Sequence, residues 1–342
     1  MRKYYLKINV DASKNASSKA VNDCNYIMEM EGYNPFELNL IKGGNGVRKK
    51  FHNTLQFAKL FQIPQNSVVV VSHPIYVNKK YLNFLERAKK KRKLRLVFLI
   101  HDLESVRKMF PDALEHFEWM DQKMYAIADK IIAHNDKMRD YLVKHGVASE
   151  KIVVLEVFDY LADECKESPR YEETLNIAGN LDANKSKYLA GLNELNRDIN
   201  INMYGANYSN DNFSSDSVHY QGSFTPDEIP HQLNRGFGLV WDGTSILECA
   251  GNTGEYLKIN NPHKLSLYII SGLPVVIWSQ AAEAKFVENN GLGLVVDNID
   301  EFDNAFKKLS QEQYNEIAKN VSACAQKLRE GYYLKKALKE ID

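Results

Sequence analysis

Cysteine is scarce in this sequence, and the few cysteines present follow no pairing or metal-binding pattern. Cys24, Cys165, Cys249 and Cys324 are widely scattered, without a C-x-x-C spacing. Such a scatter predicts reduced thiols in a cytoplasmic protein, and it argues against a disulfide framework or a zinc site.

Long apolar runs and an excess of charge are also missing. No run approaches the roughly 20 apolar residues that span a bilayer, and the N-terminus leads into an alternating stretch rather than the apolar core of a secretory signal. Lysine plus arginine and aspartate plus glutamate are equal at 44 each. This balance gives no sign of a nucleic-acid partner or of stable membrane insertion.

What the sequence does contain is enough apolar residues for a large core, with 44% hydrophobic and 26% charged residues. A length of 342 residues suits two domains. In the first half, strands are predicted at 4–9, 37–41, 67–72, 94–101, 130–133 and 151–155, and helices at 17–31, 46–61, 78–92, 112–128 and 135–145. Continuous apolar runs at 68–71 and 96–100 are typical of parallel strands covered on both faces.

The alternation stops at 156–173, an acidic and polar stretch that contains Pro169, and then resumes. In the second half, strands are predicted at 174–178, 199–204, 218–221, 238–241, 275–278 and 293–296, and helices at 184–195, 226–234, 263–271, 280–289, 300–308 and 311–329. The sequence therefore predicts an α/β fold of two Rossmann-like, doubly wound domains with an interdomain cleft. They span 1–160 and 170–330, and a C-terminal helix occupies 331–342.

The segment NNPHKLSLYIISGLPVVIW, residues 260–278, predicts a buried helix with a positive N-terminus. Pro262 suits the first helical position, and Gly272 suits a C-cap. A helix start at the carboxyl edge of a parallel sheet favours an anion, and Lys264 there is disfavoured unless an anion such as a diphosphate faces it. Ser266 offers a hydroxyl donor. The alternative is that Lys264 extends to solvent and His263 caps the helix.

Two motifs, GFGLVW at 236–241 and NNPHK with GLPVV in the segment above, carry a resemblance. Weaker similarity lies in VFLIHDLESV and IAGNLDANKSKYL. With these motifs the chain resembles bacterial GT-B glucosyltransferases that extend O-GlcNAc on serine-rich-repeat adhesins. It is also similar to galactofuranosyltransferases of cell-surface polysaccharide synthesis. The resemblance implies a UDP-sugar donor with no other cofactor, a GlcNAc-modified glycoprotein acceptor and a homo-oligomer.

The resemblance also implies which residues bind the nucleotide sugar, with Lys264 on the diphosphate. They are Asn15, Ala16, Lys185 (or Asn184), Phe224, Asn261, Pro262, His263, Lys264, Leu265, Ser266 and Leu267. Many GT-B enzymes hold the ribose with a glutamate where this chain has Leu267, and the two-glutamate pattern of retaining relatives is absent. Both departures agree with the inverting mechanism that the resemblance implies.

Inverting transfer needs a base for the acceptor hydroxyl and positive charge for the leaving UDP. No D-x-D motif ends a strand, so no metal ion is expected. His101 and Asp102 end the strongest apolar strand, where ligands of such sheets bind, and the carboxylate is the first choice for the base. The alternative is that Asp102 caps the next helix, with Glu104 in its first turn.

Other residues give weaker indications. Tyr76 is a candidate platform for an acceptor sugar or a core residue, Trp241 is expected in the core, and Asp242 and Gly243 are candidates for the donor-sugar pocket.

The glycine-rich stretch IKGGNGVRKK, residues 41–50, fits no phosphate-binding motif and predicts a loop that touches the acceptor. The basic run at 87–93 is typical of a solvated helix end. Its alternative is contact with anionic lipid or a partner protein, and membrane attachment would need a second signal. An alternative of another class for the whole chain is a non-catalytic nucleotide-sugar-fold protein that supports a partner transferase.

Overall fold

A computed structural model of the chain describes residues 1–10, 18–41, 46–76, 79–165, 169–183, 186–195, 199–212 and 216–341. The chain divides into two units. The first unit contains Met1–His134, Met138–Leu155 and Leu334–Asp342, and the second contains Asn135–Lys137 and Glu156–Tyr333. No helix in these described ranges combines the length and the apolar character that crossing a membrane requires.

The first unit is built on a six-stranded parallel sheet in the order β2-β1-β3-β4-β5-β6. Its strands are β1 (Lys3–Val10), β2 (Asn34–Leu40), β3 (Val68–His73), β4 (Arg95–Ile100), β5 (Lys130–Ala133) and β6 (Ile152–Val154). Its helices are α1 (Ser18–Met30), α2 (Val47–Ala58), α3 (Lys80–Arg92), α4 (Glu104–Arg107), α5 (Leu114–Ile127) and α6 (Asp136–Lys144), the last of which begins in the second unit. Single 3-10 turns lie at Lys59–Gln62, Pro111–Ala113 and Ser149–Lys151.

The two central strands of this sheet are the continuous apolar runs of the sequence. Val68 pairs with Arg95 and Val70 with Val97, and the four valines from Val68 are all buried. Because helices cover both faces of a parallel sheet, such strands need no polar alternation. The parallel sheet that the runs predict is confirmed.

The second unit also holds six parallel strands, in the order β12-β11-β10-β7-β8-β9. The strands are β7 (Arg170–Ala178), β8 (Asn200–Tyr204), β9 (Val218–Gly222), β10 (Arg235–Val240), β11 (Val275–Trp278) and β12 (Gly293–Val296). The helices are α7 (Tyr188–Gly191), α8 (Gly251–Leu257), α9 (His263–Ile270), α10 (Ala284–Asn289), α11 (Glu301–Lys308) and α12 (Gln311–Arg329), with 3-10 turns at Leu192–Glu194, Asn210–Asn212 and Ile229–His231. The last helix, α13 (Tyr332–Glu340), begins at the end of this unit and belongs to the first unit from Leu334 onward. Numbered within the unit, the order is the Rossmann order 3-2-1-4-5-6, which reverses between β7 and β10.

The main error of the sequence prediction within this unit is the helix expected at 226–234. The structure has only the 3-10 turn Ile229–His231 there. Pro230 lacks the N–H that a helix interior needs, and it disfavours the helical conformation of the residue before it. The helix expected at 184–195 is also shorter, because α7 has four residues and ends in a 3-10 turn.

Helix α9 lies directly on β10, and the GFGLVW motif explains how. A Cβ atom at Gly238 would lie 2.0 Å from the ring of Tyr268, and one at Gly236 (φ +66°) would lie 2.2 Å from the carbonyl oxygen of Thr174. The Tyr268 hydroxyl accepts a hydrogen bond from the N–H of Ala178 at 2.9 Å. The two glycines thus permit close packing of β7, β10 and α9, which no larger residue allows.

The ends of α9 agree with the sequence to within one residue. Pro262 is the N-cap residue, with φ −70° and ψ 125°, so the helix begins at His263 rather than at the proline. Gly272 follows the helix at φ +81°, as the predicted C-cap requires. Helix α13 lies within the range 331–342 for which the sequence predicts a C-terminal helix.

Candidate functional site

The first turn of α9 lies at the carboxyl end of β10, beside the point where the strand order reverses. The Nζ atom of Lys264 donates to the carbonyl oxygen of Trp241 at 2.7 Å. Trp241 directly follows β10 and is fully buried, and its indole N–H donates to the carbonyl oxygen of Ser245 at 2.8 Å. Ligands of doubly wound sheets bind at this kind of position.

The N-terminus of α9 has no capping side chain from its N-cap residue, Pro262, and no acidic residue in its first turn. Serine or aspartate at the N-cap would satisfy one of the first amide N–H groups, which proline cannot do. The aligned peptide dipoles make this end positive. The first turn therefore combines backbone donors, a positive dipole and the Lys264 ammonium group.

Aromatic side chains pack beside this turn. The ring of His263 stacks on that of Tyr160, with centroids 4.9 Å apart, and meets Phe158 edge-on at 6.3 Å. The Tyr160 hydroxyl donates to the carbonyl oxygen of Pro226 at 2.6 Å. These contacts fix the imidazole of His263 against residues 158–160.

Three other predicted residues of this segment use their side chains for packing. Ser266 donates its hydroxyl to the carbonyl oxygen of Phe158 at 2.6 Å, contrary to the expectation that it faces an anion. The side chains of Leu265 and Leu267 are buried. Any contact of these residues with a nucleotide therefore involves the main chain.

Asn261 is likewise buried and fully engaged. It donates to the carbonyl oxygen of Glu156 at 2.9 Å and accepts from Asn135 at 2.6 Å. Asn135 also donates to the carbonyl oxygen of Ile259 at 3.1 Å. This amide pair fixes the loop that leads into α9.

Asp242 and Gly243 lie at the same edge. The Asp242 carboxylate accepts from the N–H of Gly243 at 2.8 Å. Gly243 has φ +109°, and a Cβ atom there would lie 2.3 Å from the carbonyl oxygen of Ala250. Beneath them, burial raises the pKa of the Cys249 thiol to about 12, so this cysteine is protonated and unreactive.

Phe224 lies two residues beyond β9, where its half-buried ring meets that of Tyr204 at 6.4 Å. Four predicted binding residues, Asn15, Ala16, Asn184 and Lys185, lie outside the residues that the structure describes, as do Gly43 and Gly44 of the glycine-rich stretch.

In the first unit, His101 and Asp102 follow β4 at its carboxyl end. The Asp102 carboxylate forms an ion pair with Arg107, with Oδ2 and Nη1 2.8 Å apart, and Arg107 also binds the buried Glu104. The N-cap residue of α4 is Leu103, without a side-chain cap, so the capping alternative for Asp102 is wrong. The ion pair fixes the direction of the Asp102 carboxylate.

Tyr76 lies beside this cluster. Its hydroxyl donates to Glu104 at 2.6 Å, and its ring meets the rings of Phe110 and Phe117 edge-on. The residue is 42% exposed, so part of its ring faces solvent. Tyr76 is therefore not a core residue, and its role as a sugar platform stays a prediction.

Sequence reasoning missed that three adjacent strands each end in a histidine. His73 ends β3, His101 follows β4 and His134 follows β5. His73 donates to the buried Asp121 at 2.6 Å, and its carbonyl oxygen accepts from the N–H of His101 at 2.7 Å. Burial lowers the pKa of His134 to about 3, so this imidazole is neutral. A histidine at or directly after the end of three predicted strands was the sequence pattern that could have pointed to these residues.

Within the described residues, no group of three or more histidine, cysteine, aspartate or glutamate side chains is arranged to hold a metal ion.

Two parallel sheets, the second in Rossmann order with a positive helix end at its switch point, define a GT-B fold. The structure of Anabaena Alr3699/HepE in complex with UDP-glucose matches at a TM-score of 0.62 and 13% identity, covering 98% of this chain and 99% of that one. The lipopolysaccharide outer core galactosyltransferase WaaB matches at 0.62 and 13%, covering 100% and 99%. At such identities these matches show the fold alone.

Sequence comparison narrows the class to a family. The model of the glucosyltransferase 3-like N-terminal domain matches residues 3–157, and that of the C-terminal domain matches residues 175–341. The beta-1,6-galactofuranosyltransferase WbbI of Escherichia coli K12 is 34% identical over 73% of this chain and 72% of its own length. Glucosyltransferase 3 of Streptococcus gordonii is 25% identical over 79% and 78%. The chain belongs to the glucosyltransferase 3-like family, and it is a glycosyltransferase.

Proposed function

We propose that the protein transfers a hexosyl group from a UDP-sugar to a hydroxyl group of a glycan acceptor, with inversion and without a metal ion. The acceptor oxygen attacks the anomeric carbon while the bond from that carbon to the β-phosphate oxygen breaks. UDP leaves with the bonding electron pair, and a base of the protein takes the hydroxyl proton.

The observation that carries the proposal is the position of Lys264 in the first turn of α9. An ammonium group has three donors, so Lys264 can keep its bond to the Trp241 carbonyl and still donate to a phosphate oxygen. The positive end of the α9 dipole adds to this charge. Together they offset the negative charge that grows on the departing diphosphate.

The remaining donor contacts are proposed from the family resemblance. Lys185 supplies a second positive charge to the diphosphate, and Asn15 and Ala16 contact the nucleotide from the N-terminal half. Phe224, at the carboxyl edge of the second sheet, contributes an aromatic face to the nucleotide.

For the base we propose Asp102, with His101 as the neighbouring candidate. Asp102 stands at the carboxyl end of β4, where Arg107 fixes its orientation. A carboxylate there can take the proton of the acceptor hydroxyl directly. The Nε2 atom of His101 lies 3.2 Å from the Ser72 hydroxyl, so this imidazole already has a hydrogen-bonding partner.

Two donor and acceptor pairs are candidates. The first is glucose transferred to O-GlcNAc of a serine-rich-repeat adhesin, in line with the relatives named glucosyltransferase 3. The second is galactofuranose transferred to a surface polysaccharide, and the higher identity of the galactofuranosyltransferase, 34% against 25% and 27%, favours it.

The binding step is tested by calorimetry with UDP. Because a charge-assisted hydrogen bond contributes about 1.5–3 kcal/mol, Lys264→Ala should raise the Kd for UDP by roughly 10- to 100-fold. Lys258→Ala is the matched control, since Lys258 lies in the same unit and is paired with Glu255. Equal UDP affinity of Lys264→Ala and the unmodified protein would overturn the proposal.

The transfer step is tested by mass spectrometry of products. The protein is incubated with UDP-glucose or UDP-galactofuranose, and with a GlcNAc-peptide or a polysaccharide fragment as acceptor. A mass gain of one hexose on an acceptor identifies the pair. UDP binding without any product would instead favour the non-catalytic alternative.

A further inference from the structure

Helix α2 of the first unit carries an apolar stripe that faces solvent. Val47, Phe51 and Leu55 are 84%, 66% and 52% exposed. Because they are four residues apart, they lie on one side of the helix. Large apolar side chains in such a continuous exposed row are unusual on a soluble surface.

The stripe cannot turn toward the core, because the opposite side of α2 is anchored. The Phe57 ring contacts those of Tyr81 and Phe84 on α3, at centroid distances of 6.4 and 5.8 Å. The buried Asn53 side chain exchanges two hydrogen bonds of 3.0 Å with the backbone of Ile41. At about 100° per residue, Asn53 and Phe57 lie roughly opposite Phe51 and Leu55.

Positive charge accompanies the stripe. Arg48, Lys49 and Lys50 lie in the first turn of α2, and the helix contains no acidic residue. The last turn of the neighbouring α3 consists of Lys89, Lys90, Lys91 and Arg92. Helix α2 thus combines exposed apolar side chains with basic groups, and α3 adds a second basic helix end, in which Lys89 is paired with Asp129 and Lys90 with Glu86.

We propose that α2, together with the basic end of α3, docks the first unit on the surface of an anionic lipid bilayer. An amphipathic helix lies in the interface with its apolar side chains among the acyl chains and its lysines and arginines at the anionic headgroups. The strength of such binding grows with the apolar area that is buried and with the electrostatic attraction to anionic lipids. The sequence showed the basic run, and the structure adds the apolar stripe.

The charge pattern favours a lipid surface over a second copy of this chain. A symmetric dimer through the stripe would join the same surface of both copies, and on α2 that surface carries Arg48, Lys49 and Lys50 with no acidic residue to offset their charge. Like charges at such an interface oppose association, whereas anionic headgroups attract them.

The test is co-sedimentation of the full chain with vesicles, followed by size measurement without lipid. We expect binding to vesicles of equal parts phosphatidylcholine and phosphatidylglycerol, weaker binding to phosphatidylcholine alone, and loss of binding at high salt. Phe51→Ser with Leu55→Ser should weaken binding about tenfold or more. Arg48→Gln with Lys50→Gln should weaken binding to the anionic vesicles only.

The matched control is Tyr26→Ser with Met30→Ser. These two residues have the same spacing on α1 and are 57% and 50% exposed, so they lose similar apolar surface elsewhere in the unit. Circular dichroism checks that each variant is folded.

The proposal is overturned if the unmodified chain does not sediment with anionic vesicles, or if the α1 pair weakens binding as much as the α2 pair. A lower molecular mass of the α2 pair in lipid-free solution, with vesicle binding retained, would instead identify a second copy as the occupant. None of these measurements uses a nucleotide, so they are independent of the proposed UDP-sugar activity.

Discussion

The buried carboxyl group of Glu283 shows how strongly the surroundings of a residue can change its pKa. It is 1% exposed, and burial raises the pKa of its carboxyl group well above the usual range. Glu156 and Asp136 raise it further, while a hydrogen bond from Asn135 opposes the shift. The folded protein therefore keeps Glu283 protonated under conditions where an exposed glutamate is ionised.

The sign of the resulting pH dependence follows from proton binding. In the unfolded chain Glu283 loses its proton near its ordinary pKa of 4.5, whereas in the folded chain it keeps it to a higher pH. Above pH 4.5 the folded state thus binds more protons, and its stability falls by up to about 1.4 kcal/mol per pH unit until the folded pKa is reached. Glu283→Gln removes this loss, since glutamine stays neutral.

We therefore expect Glu283→Gln to melt at a higher temperature than the unmodified protein at about pH 7–8, and near the same temperature at about pH 4. Thermal unfolding followed by circular dichroism across this range measures the difference. Glu288→Gln, at an exposed position of helix α10, whose N-cap residue is Glu283, should show no such trend. A constant difference at all pH values would contradict the assignment.

At the scale of one element, α9 depends on a glycine in the strand beneath it. Gly238→Ala places a methyl group 2.0 Å from the Tyr268 ring, so the helix must move or the ring must leave its position. Overpacking of this kind costs about 1–3 kcal/mol, and here it also displaces the first turn that holds Lys264. We expect a lower melting temperature and weaker UDP binding.

Differential scanning calorimetry and UDP titration measure both effects. Gly46→Ala is the control, because the nearest atom to its added Cβ lies 3.9 Å away, which is ordinary van der Waals contact. Unchanged stability of Gly238→Ala would show that α9 does not pack as tightly as the structure indicates.

The sequence predicted the strands and α9 well because their signals are local. Buried parallel strands read as unbroken apolar runs, and Gly272 marks a helix end by its own backbone preference. The sequence could not predict contacts between residues that are far apart in the chain. The bond from Lys264 to Trp241 spans 23 residues, the Asn135–Asn261 pair spans 126, and no periodicity encodes either.

Helical spacing also fails to say which side of a helix is buried. Val47, Phe51 and Leu55 have the spacing of a core face, yet the unit buries Asn53 and Phe57 instead. Only the position of α3 and of the backbone at Ile41 decides between the two sides. An exposed apolar stripe is therefore a finding of the structure, and with it the docking proposal.

At the scale of the whole molecule, the two units carry different parts of the proposed chemistry. The candidate base Asp102 belongs to the first unit, whereas Lys264 and the α9 N-terminus belong to the second. Loss of the base should therefore abolish transfer, while the affinity for UDP is retained. This separation gives a prediction that neither unit alone would supply.

We expect Asp102→Asn to lower kcat by about 10²- to 10⁴-fold, the usual contribution of a general base, while the Kd for UDP stays unchanged. The asparagine oxygen can still accept from Arg107, so the local structure is retained, but the amide cannot take up the acceptor proton. Product formation is followed by mass spectrometry and UDP binding by calorimetry.

Asp129→Asn is the matched control, because Asp129 is an ion-paired aspartate of the same unit, held by Lys89 at 2.7 Å, with no proposed catalytic role. Near-normal turnover in Asp102→Asn would reject Asp102 as the base and move the assignment to His101, whose replacement by glutamine should then remove transfer while leaving UDP affinity intact.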